Sequence, residues 1–254
     1  MSIAPGAATR LEKAAFDNGF DQDLGRDGGW LAFTSTHASL KVWLLAQEGG
    51  PMVAAFSRAD VGLGLADLGT PGHPEMPPDA AASLVVETVP NLNRLLRRAY
   101  QLARTLPHQL LRDFEQKTAG MPRATEAERL VVQRVGQDVF RAGLMDYWDG
   151  KCAVTGLAVP ELLRASHIKP WAECETDAER LDVFNGLLLA PHLDAAFDRG
   201  FITLSDAGEL LISPVLSIGA RRLLGLDEPL QVRGLAEGHG AYLPWHREKW
   251  FKRG

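Results

Sequence analysis

Between Ala165 and Asp198 the chain gathers the residue types that hydrolysis of a phosphodiester requires. His167 lies in Ala165-Ser166-His167-Ile168-Lys169-Pro170-Trp171, Asn185-Gly186 follows, and then come His192, Asp194 and Asp198. The reaction needs an activated water, neutralised charge at phosphorus and a stabilised leaving oxygen. A neutral imidazole can supply the first and a metal ion the other two. Histidine suits the base because its ordinary pKa lies near neutrality. Asp194 and Asp198 stand at i and i+4, so on a helix their carboxylates share one side and can hold one ion. Hard oxygen ligands favour Mg²⁺ or Mn²⁺ over Zn²⁺. Each residue alone also has a plainer reading. His167 could be bonded to backbone, Asn185-Gly186 could be a turn dipeptide, and the aspartates could form a solvated face, with Asp198 capping the next turn or pairing with Arg199. The grouping favours chemistry.

The SHIKPW segment, with the run Asn185-Gly186-Leu187-Leu188-Leu189 and the aspartates after it, resembles an HNH nuclease of the ββα-metal type. The resemblance spans about Thr125 to Leu226, with a weaker tail to Phe251. It implies His167 as the catalytic base, and Asn185 as the residue that supports the loop and orients that base. It places Ser166 where many relatives carry an aspartate or histidine metal ligand, and Asp194 and Asp198 where relatives often carry histidines. His192, near the helix start, is read as catalytic, binding either the metal or the scissile phosphate. The implied cofactor is one divalent ion, Mg²⁺ or Mn²⁺, and the implied partner is double-stranded DNA, with a homodimer compatible. Cys152-Ala153-Val154-Thr155 stands where zinc-bearing relatives have C-x-x-C, so no structural zinc is expected. By the same resemblance the setting is bacterial restriction or defence. The rival readings are a degenerate HNH domain that binds DNA without cutting, and a nuclease acting on RNA or single strands.

These residues need elements to position them. Thr125 and Glu128 fit a capping box opening a helix to about Trp148, with an apolar stripe through Leu130, Val131, Val135, Val139, Leu144 and Trp148. A short strand is expected at Cys152–Thr155 and a second at Leu163–Ile168. An acidic surface segment covers Ala172–Asp182. Pro191 suits the first turn of a helix and Gly200 its end. Phe201–Leu204 and Leu210–Ser213 read as a β-hairpin. Arg134 and Arg141 share a stripe of the long helix and are candidate DNA contacts, as are Arg164 and Lys169 beside the base.

Upstream, residues 1–27 look polar and weakly structured, apart from a short helix near Leu11–Phe16. Trp30–Phe56 reads as two or three strands with a turn at Glu48–Pro51, Gly69–Pro78 as a loop, and Leu92–Leu106 as an amphipathic helix. Lys117–Ala124 reads as a linker. The expectation is therefore an α+β chain, with a smaller α+β recognition or regulatory domain over 1–120 and the nuclease domain over 121–254, its core at about 150–205. The 254 residues suit that division, and 46% hydrophobic with 23% charged content is ordinary for a globular protein. A net charge of −5 argues mildly against a surface that grips DNA everywhere, leaving local arginines to do so. Two cysteines are too few for a disulfide framework, and no signal-like or membrane-spanning segment is visible, so a cytoplasmic protein with no membrane partner is expected.

Overall fold

A computed structural model describes residues 3, 5–46, 50–72, 75–105, 109–232 and 234–254. The chain is α+β and divides into two compact units, Met1–Leu106 and Pro107–Gly254. No described helix is long and apolar enough to cross a membrane.

The first unit begins with more structure than its composition suggests. Helix α1 (Pro5–Asp17) buries Leu11, Ala14 and Ala15. Alanines carry little periodic signal, yet they let a helix pack closely. Strand β1 (Gln22–Asp27) is an exposed edge without alternation, so it was invisible to pattern reading. Strands β2 (Trp30–Thr34), β3 (Lys41–Ala46) and β4 (Met52–Phe56) follow as expected. The expected turn between β3 and β4 lies partly at 47–49, outside the described residues. Then come α2 (Ala59–Leu63), β5 (Thr70–Pro71), β6 (Ala82–Val86) and α3 (Val89–Thr105). The six strands pair antiparallel in the order β1-β2-β3-β4-β6-β5. Register aligns Leu31, Leu44, Ala54 and Leu84 in one row and Ala32, Trp43, Ala55 and Ser83 in the next. Phe16 meets Phe33 edge-on at 5.9 Å, which puts α1 on the Leu31/Phe33 face. Both rows are buried, which explains why these strands read as continuous apolar runs. Helix α3 buries the apolar stripe read from its spacing: Leu92, Leu95, Leu96, Ala99, Leu102 and Ala103.

In the second unit, α4 (Gln109–Thr118) precedes the long helix α5 (Glu126–Tyr147). The Glu128 N–H donates to the Thr125 hydroxyl at 3.2 Å, and the Thr125 N–H donates to the Glu128 carboxylate at 2.8 Å, closing the expected capping box. The buried face of α5 differs from the expected stripe. It carries Val132, Gly136, Val139, Phe140, Gly143, Leu144 and Tyr147, while Leu130 and Val131 are exposed. Two glycines displace it. A methyl group on Gly143 would strike the Leu110 side chain, and one on Gly136 would lie 2.5 Å from the Trp171 ring and 3.3 Å from Phe114. Glycine is thus a packing position here, and a hydropathy pattern cannot see it.

Helix α4 therefore packs on α5, and the expected linker at Lys117–Ala124 lies inside the second unit rather than at its border. Leu110 and Phe114 are buried in that contact. A fragment starting at Pro107 should fold, whereas one starting at Met121 should be less stable by about 3–6 kcal/mol, the combined burial of a leucine and a phenylalanine. Urea melts of the two fragments test this; equal stability would show that α4 is dispensable.

The remaining elements are β7 (Arg164–His167), α6 (Asp177–Arg180), β8 (Gly186–Leu189), α7 (Pro191–Asp198), the hairpin β9 (Ile202–Leu204) and β10 (Leu210–Ile212), α8 (Ile218–Leu223) and α9 (Leu243–Lys249). The expected strand at Cys152–Thr155 is instead a turn, closed by the Gly156 N–H on the Cys152 carbonyl at 2.9 Å. The Cys152 sulfur accepts from the N–H groups of Thr155 and Ala190 at 3.4 and 3.3 Å, tying this turn to the start of α7.

His239 is fully buried among Tyr147, Trp148 and Phe184, with ring centroids 5.3–5.8 Å away. Burial pushes its pKa down to about 4 from the ordinary 6.5. The unfolded chain thus takes up this proton first as pH falls. The second unit should lose up to about 3 kcal/mol between pH 6.5 and 4 from this group, with full stability above that window. Denaturation of the parent and of His239→Phe across that range checks the sign: the parent should fall more steeply, and parallel curves would remove His239 from the account.

Candidate active site

Strands β7 and β8 form an antiparallel hairpin with Ser166 opposite Leu187 and His167 opposite Gly186. Helix α7 packs on β7, completing a ββα unit. Neighbouring residues of a strand point to opposite faces. Ser166 accordingly turns to α7, and His167 turns to α5.

On the α7 side, the Ser166 hydroxyl lies 2.8 Å from Asp194 Oδ1 and 3.3 Å from Asp198 Oδ1. Helical i, i+4 spacing places both carboxylates over one strand position. A hydroxyl has one proton and cannot donate to both at once. The Asp198 pKa is raised to about 6, first by burial and then by the charge of Asp194, against the pull of the Ser166 hydrogen bond and Arg199. Two mutually repelling carboxylates and a hydroxyl oxygen form an all-oxygen donor set that fits a hard divalent cation with water completing its shell. Among the described residues no group of three or more His, Cys, Asp and Glu side chains could hold a metal. Ser166 stands in the third place, and a hydroxyl is a weaker ligand.

On the α5 side, the His167 ring stacks on Phe140 at 3.8 Å and 14°, and meets Trp171 edge-on at 5.6 Å. His167 Nε2 is 2.9 Å from the Arg180 carbonyl. A carbonyl only accepts, so Nε2 carries the proton and Nδ1 keeps the lone pair. Burial pushes the His167 pKa down to about 4, opposed by the Arg180 hydrogen bond, so the ring is neutral at pH 7. Gly186 makes this stack possible: a methyl group there would lie 2.6 Å from Phe140 and 2.8 Å from Leu144.

Asn185 is fully buried and pins the loop that follows β7. Its Oδ1 accepts from the Lys169 N–H at 2.7 Å, while its Nδ2 donates to the carbonyls of Lys169 and Glu179, each at 3.1 Å. The Arg180 side chain braces the same loop by donating to the carbonyls of Trp171 and Cys174. The acidic segment at 172–182 is thus the frame that holds the histidine tautomer. Sequence reading missed Arg180 and Phe140 in these roles, and a backbone carbonyl has no signature because every residue owns one.

Three expected site residues, His192, Lys169 and Arg141, are placed otherwise. His192 is exposed and two residues before Asp194, about 200° around the helix, so the structure does not bring it to the carboxylates. Lys169 is spent on Glu179 at 3.1 Å, its side chain 14% exposed. Arg141 donates to the carbonyls of Leu163 and Pro160 at 2.6 and 2.9 Å, so it braces the loop before β7. Arg134 is exposed on α5. Arg164 is exposed on β7. Arg199, not anticipated as a site residue, lines a cleft of about 390 Å³ together with Ser166, His167, Trp171, Asp198 and Trp250. Its signal in the sequence was only adjacency to Asp198.

No curated protein matches the chain. Residues 152–205 match the family model of HNH endonucleases, a stretch that runs from the Cys152 turn through β7, β8 and α7 into the hairpin. With that match and this ββα geometry, the C-terminal half of the chain holds a domain of the HNH endonuclease family.

Proposed function

We propose that the chain is a metal-dependent endonuclease that hydrolyses phosphodiester bonds of DNA, with double-stranded DNA as its partner. The observation that carries the reading is the convergence of Asp194 and Asp198 on the Ser166 hydroxyl, at 2.8 and 3.3 Å, on the strand that also presents His167. Ser166, Asp194 and Asp198 would hold one Mg²⁺ or Mn²⁺. That ion, when bound, supplies positive charge at the phosphoryl and leaving oxygens. His167 Nδ1 accepts a proton from the attacking water, whose oxygen bonds to phosphorus as the bond to the 3′ oxygen breaks and that oxygen takes a proton from solvent water. The products carry 5′-phosphate and 3′-hydroxyl ends. A base lowered to about 4 is weak in the free protein. The phosphate's negative charge raises it toward working pH when substrate binds. Asn185 and Arg180 act through His167, holding the loop and the tautomer. Arg164 and Arg199, both exposed, supply cationic contacts to the strand.

The first unit is proposed as the target-reading or regulatory module, and a restriction or defence setting rests on the resemblance of the SHIKPW and NGLLL segments. Supercoiled plasmid incubated with Mg²⁺, with Mn²⁺ and with EDTA tests the reading: nicking that needs the ion supports it. One observation favours a second reading, in which the domain binds DNA without cutting. Its cation site has two carboxylates and a hydroxyl rather than three strong ligands. Retained DNA binding with no nicking under any divalent ion would select it.

A further inference from the structure

The cleft beside the carboxylates has a wall that lies outside the family match. It comes from the C-terminal segment, some fifty residues after the domain core. There Trp250 is 39% exposed and lines the cleft with Trp171 and Arg199. Its position is set from several directions. The Trp250 indole N–H donates to the Asp198 carbonyl at 2.7 Å, one bond path from the carboxylate that meets Ser166. The Lys252 N–H donates to the Gly200 carbonyl at 3.0 Å, and the Ser213 hydroxyl donates to the Lys252 carbonyl at 2.6 Å. Gly200 has φ +69°, and any side chain there would strike the Trp250 carbonyl. His246, on α9, stacks on Phe197 at 3.9 Å and is bonded to Thr203, anchoring the segment behind the indole. The chain thus anchors a large aromatic ring beside the proposed cation site: Trp245 packs against it with centroids 5.8 Å apart at 30°, and the ring still lines the cleft, 39% exposed.

We propose that Trp250 is a stacking platform for one nucleobase of the substrate strand, adjacent to the scissile phosphate. The proposal rests on the nuclease reading and names the form of its substrate. An aromatic face can take a base only when that base has left its own stack, so the site engages single-stranded or locally opened DNA, and an intact duplex must unstack at the cut. The cleft volume falls in the range of roughly 300–1,000 Å³ found for ligand pockets. Arg199 on the same wall can meet the adjoining phosphate. Trp250 is therefore a substrate-positioning residue.

The test measures binding in EDTA, where no cleavage occurs, by anisotropy of a labelled 12-nucleotide single strand, the matching duplex, and single strands carrying one abasic site at successive positions. Trp250→Ala should weaken single-strand binding about tenfold, with Trp250→Phe within threefold of the parent and the perfect duplex affected less than threefold. In the unaltered protein, one abasic position should cost a similar factor, and that cost should vanish in Trp250→Ala. With divalent ion, Trp250→Ala should raise KM more than it lowers kcat. Binding unchanged within twofold in a folded Trp250→Ala protein, or equal losses on single strand and duplex, overturns the proposal. Should Trp250→Ala fail to fold, the abasic series on the unaltered chain decides: a flat series overturns it. Absence of cleavage by the parent under every divalent ion would instead refute the nuclease reading, and the binding series would still report on stacking.

Discussion

His167→Ala should slow DNA cleavage by about 10²–10⁴-fold, the usual worth of a positioned general base. The expectation comes from a forced tautomer. The Arg180 carbonyl requires the proton on Nε2, which leaves Nδ1 as a lone pair on a ring held by Phe140. The substitution also removes that stack, so loss of rate must be separated from loss of fold. Circular dichroism and thermal melts should show a folded domain, and anisotropy in EDTA should show DNA affinity within threefold of the parent. Rescue by added imidazole would tie the deficit to the missing base. Activity within threefold of the parent would remove His167 from the chemistry. Phe140→Leu is a useful companion, because it loosens the ring without deleting it and should give a smaller loss.

Asp194→Ala should weaken Mn²⁺ binding more than Asp198→Ala, and each should cost well over tenfold, since even residues that only support a ligand typically cost 10–100-fold. Asp194 meets Ser166 at 2.8 Å and Asp198 at 3.3 Å, and Asp194 sits a turn nearer the start of α7. Calorimetric titration gives the order directly. A second readout does not depend on activity. Without metal the carboxylates repel one another across Ser166, so Asp198→Asn should melt at a higher temperature than the parent in EDTA. Mn²⁺ should then stabilise the parent strongly and Asp198→Asn weakly. If neither aspartate variant changes Mn²⁺ binding, the cation is held elsewhere, and exposed His192 becomes the first residue to examine.

Much of this site was legible before any tertiary structure. Spacing alone placed Asp194 and Asp198 on one helical face, because 3.6 residues per turn is a local property. Thr125 and Glu128 marked the start of α5, and Pro191 and Gly200 bracketed α7, for the same reason: caps and helix ends are decided within a few residues. What sequence reading could not see involves groups that carry no side-chain label or partners far along the chain. Lys169 beside the base and Arg141 on the long helix read as DNA contacts, yet Glu179 and the carbonyls of Leu163 and Pro160 claim them. The segment that forms α4 was assigned to the first domain, 1–120, yet its Leu110 and Phe114 fill hollows that two glycines leave in α5.

The sequence by itself therefore determined the extended segment that carries His167, the helix from Pro191 and the shared side of Asp194 and Asp198, whereas the strand that pairs with β7 is Gly186–Leu189 and not the expected Cys152–Thr155. Those three follow from local periodicity and residue chemistry. Only the tertiary structure decided which His167 nitrogen is bare, which arginines remain exposed, which face of α5 is buried, and that Trp250 closes the cleft from beyond the matched domain. Each of these depends on a backbone carbonyl or an aromatic ring brought in from a distant element, and packing, not spacing, sets which atoms meet.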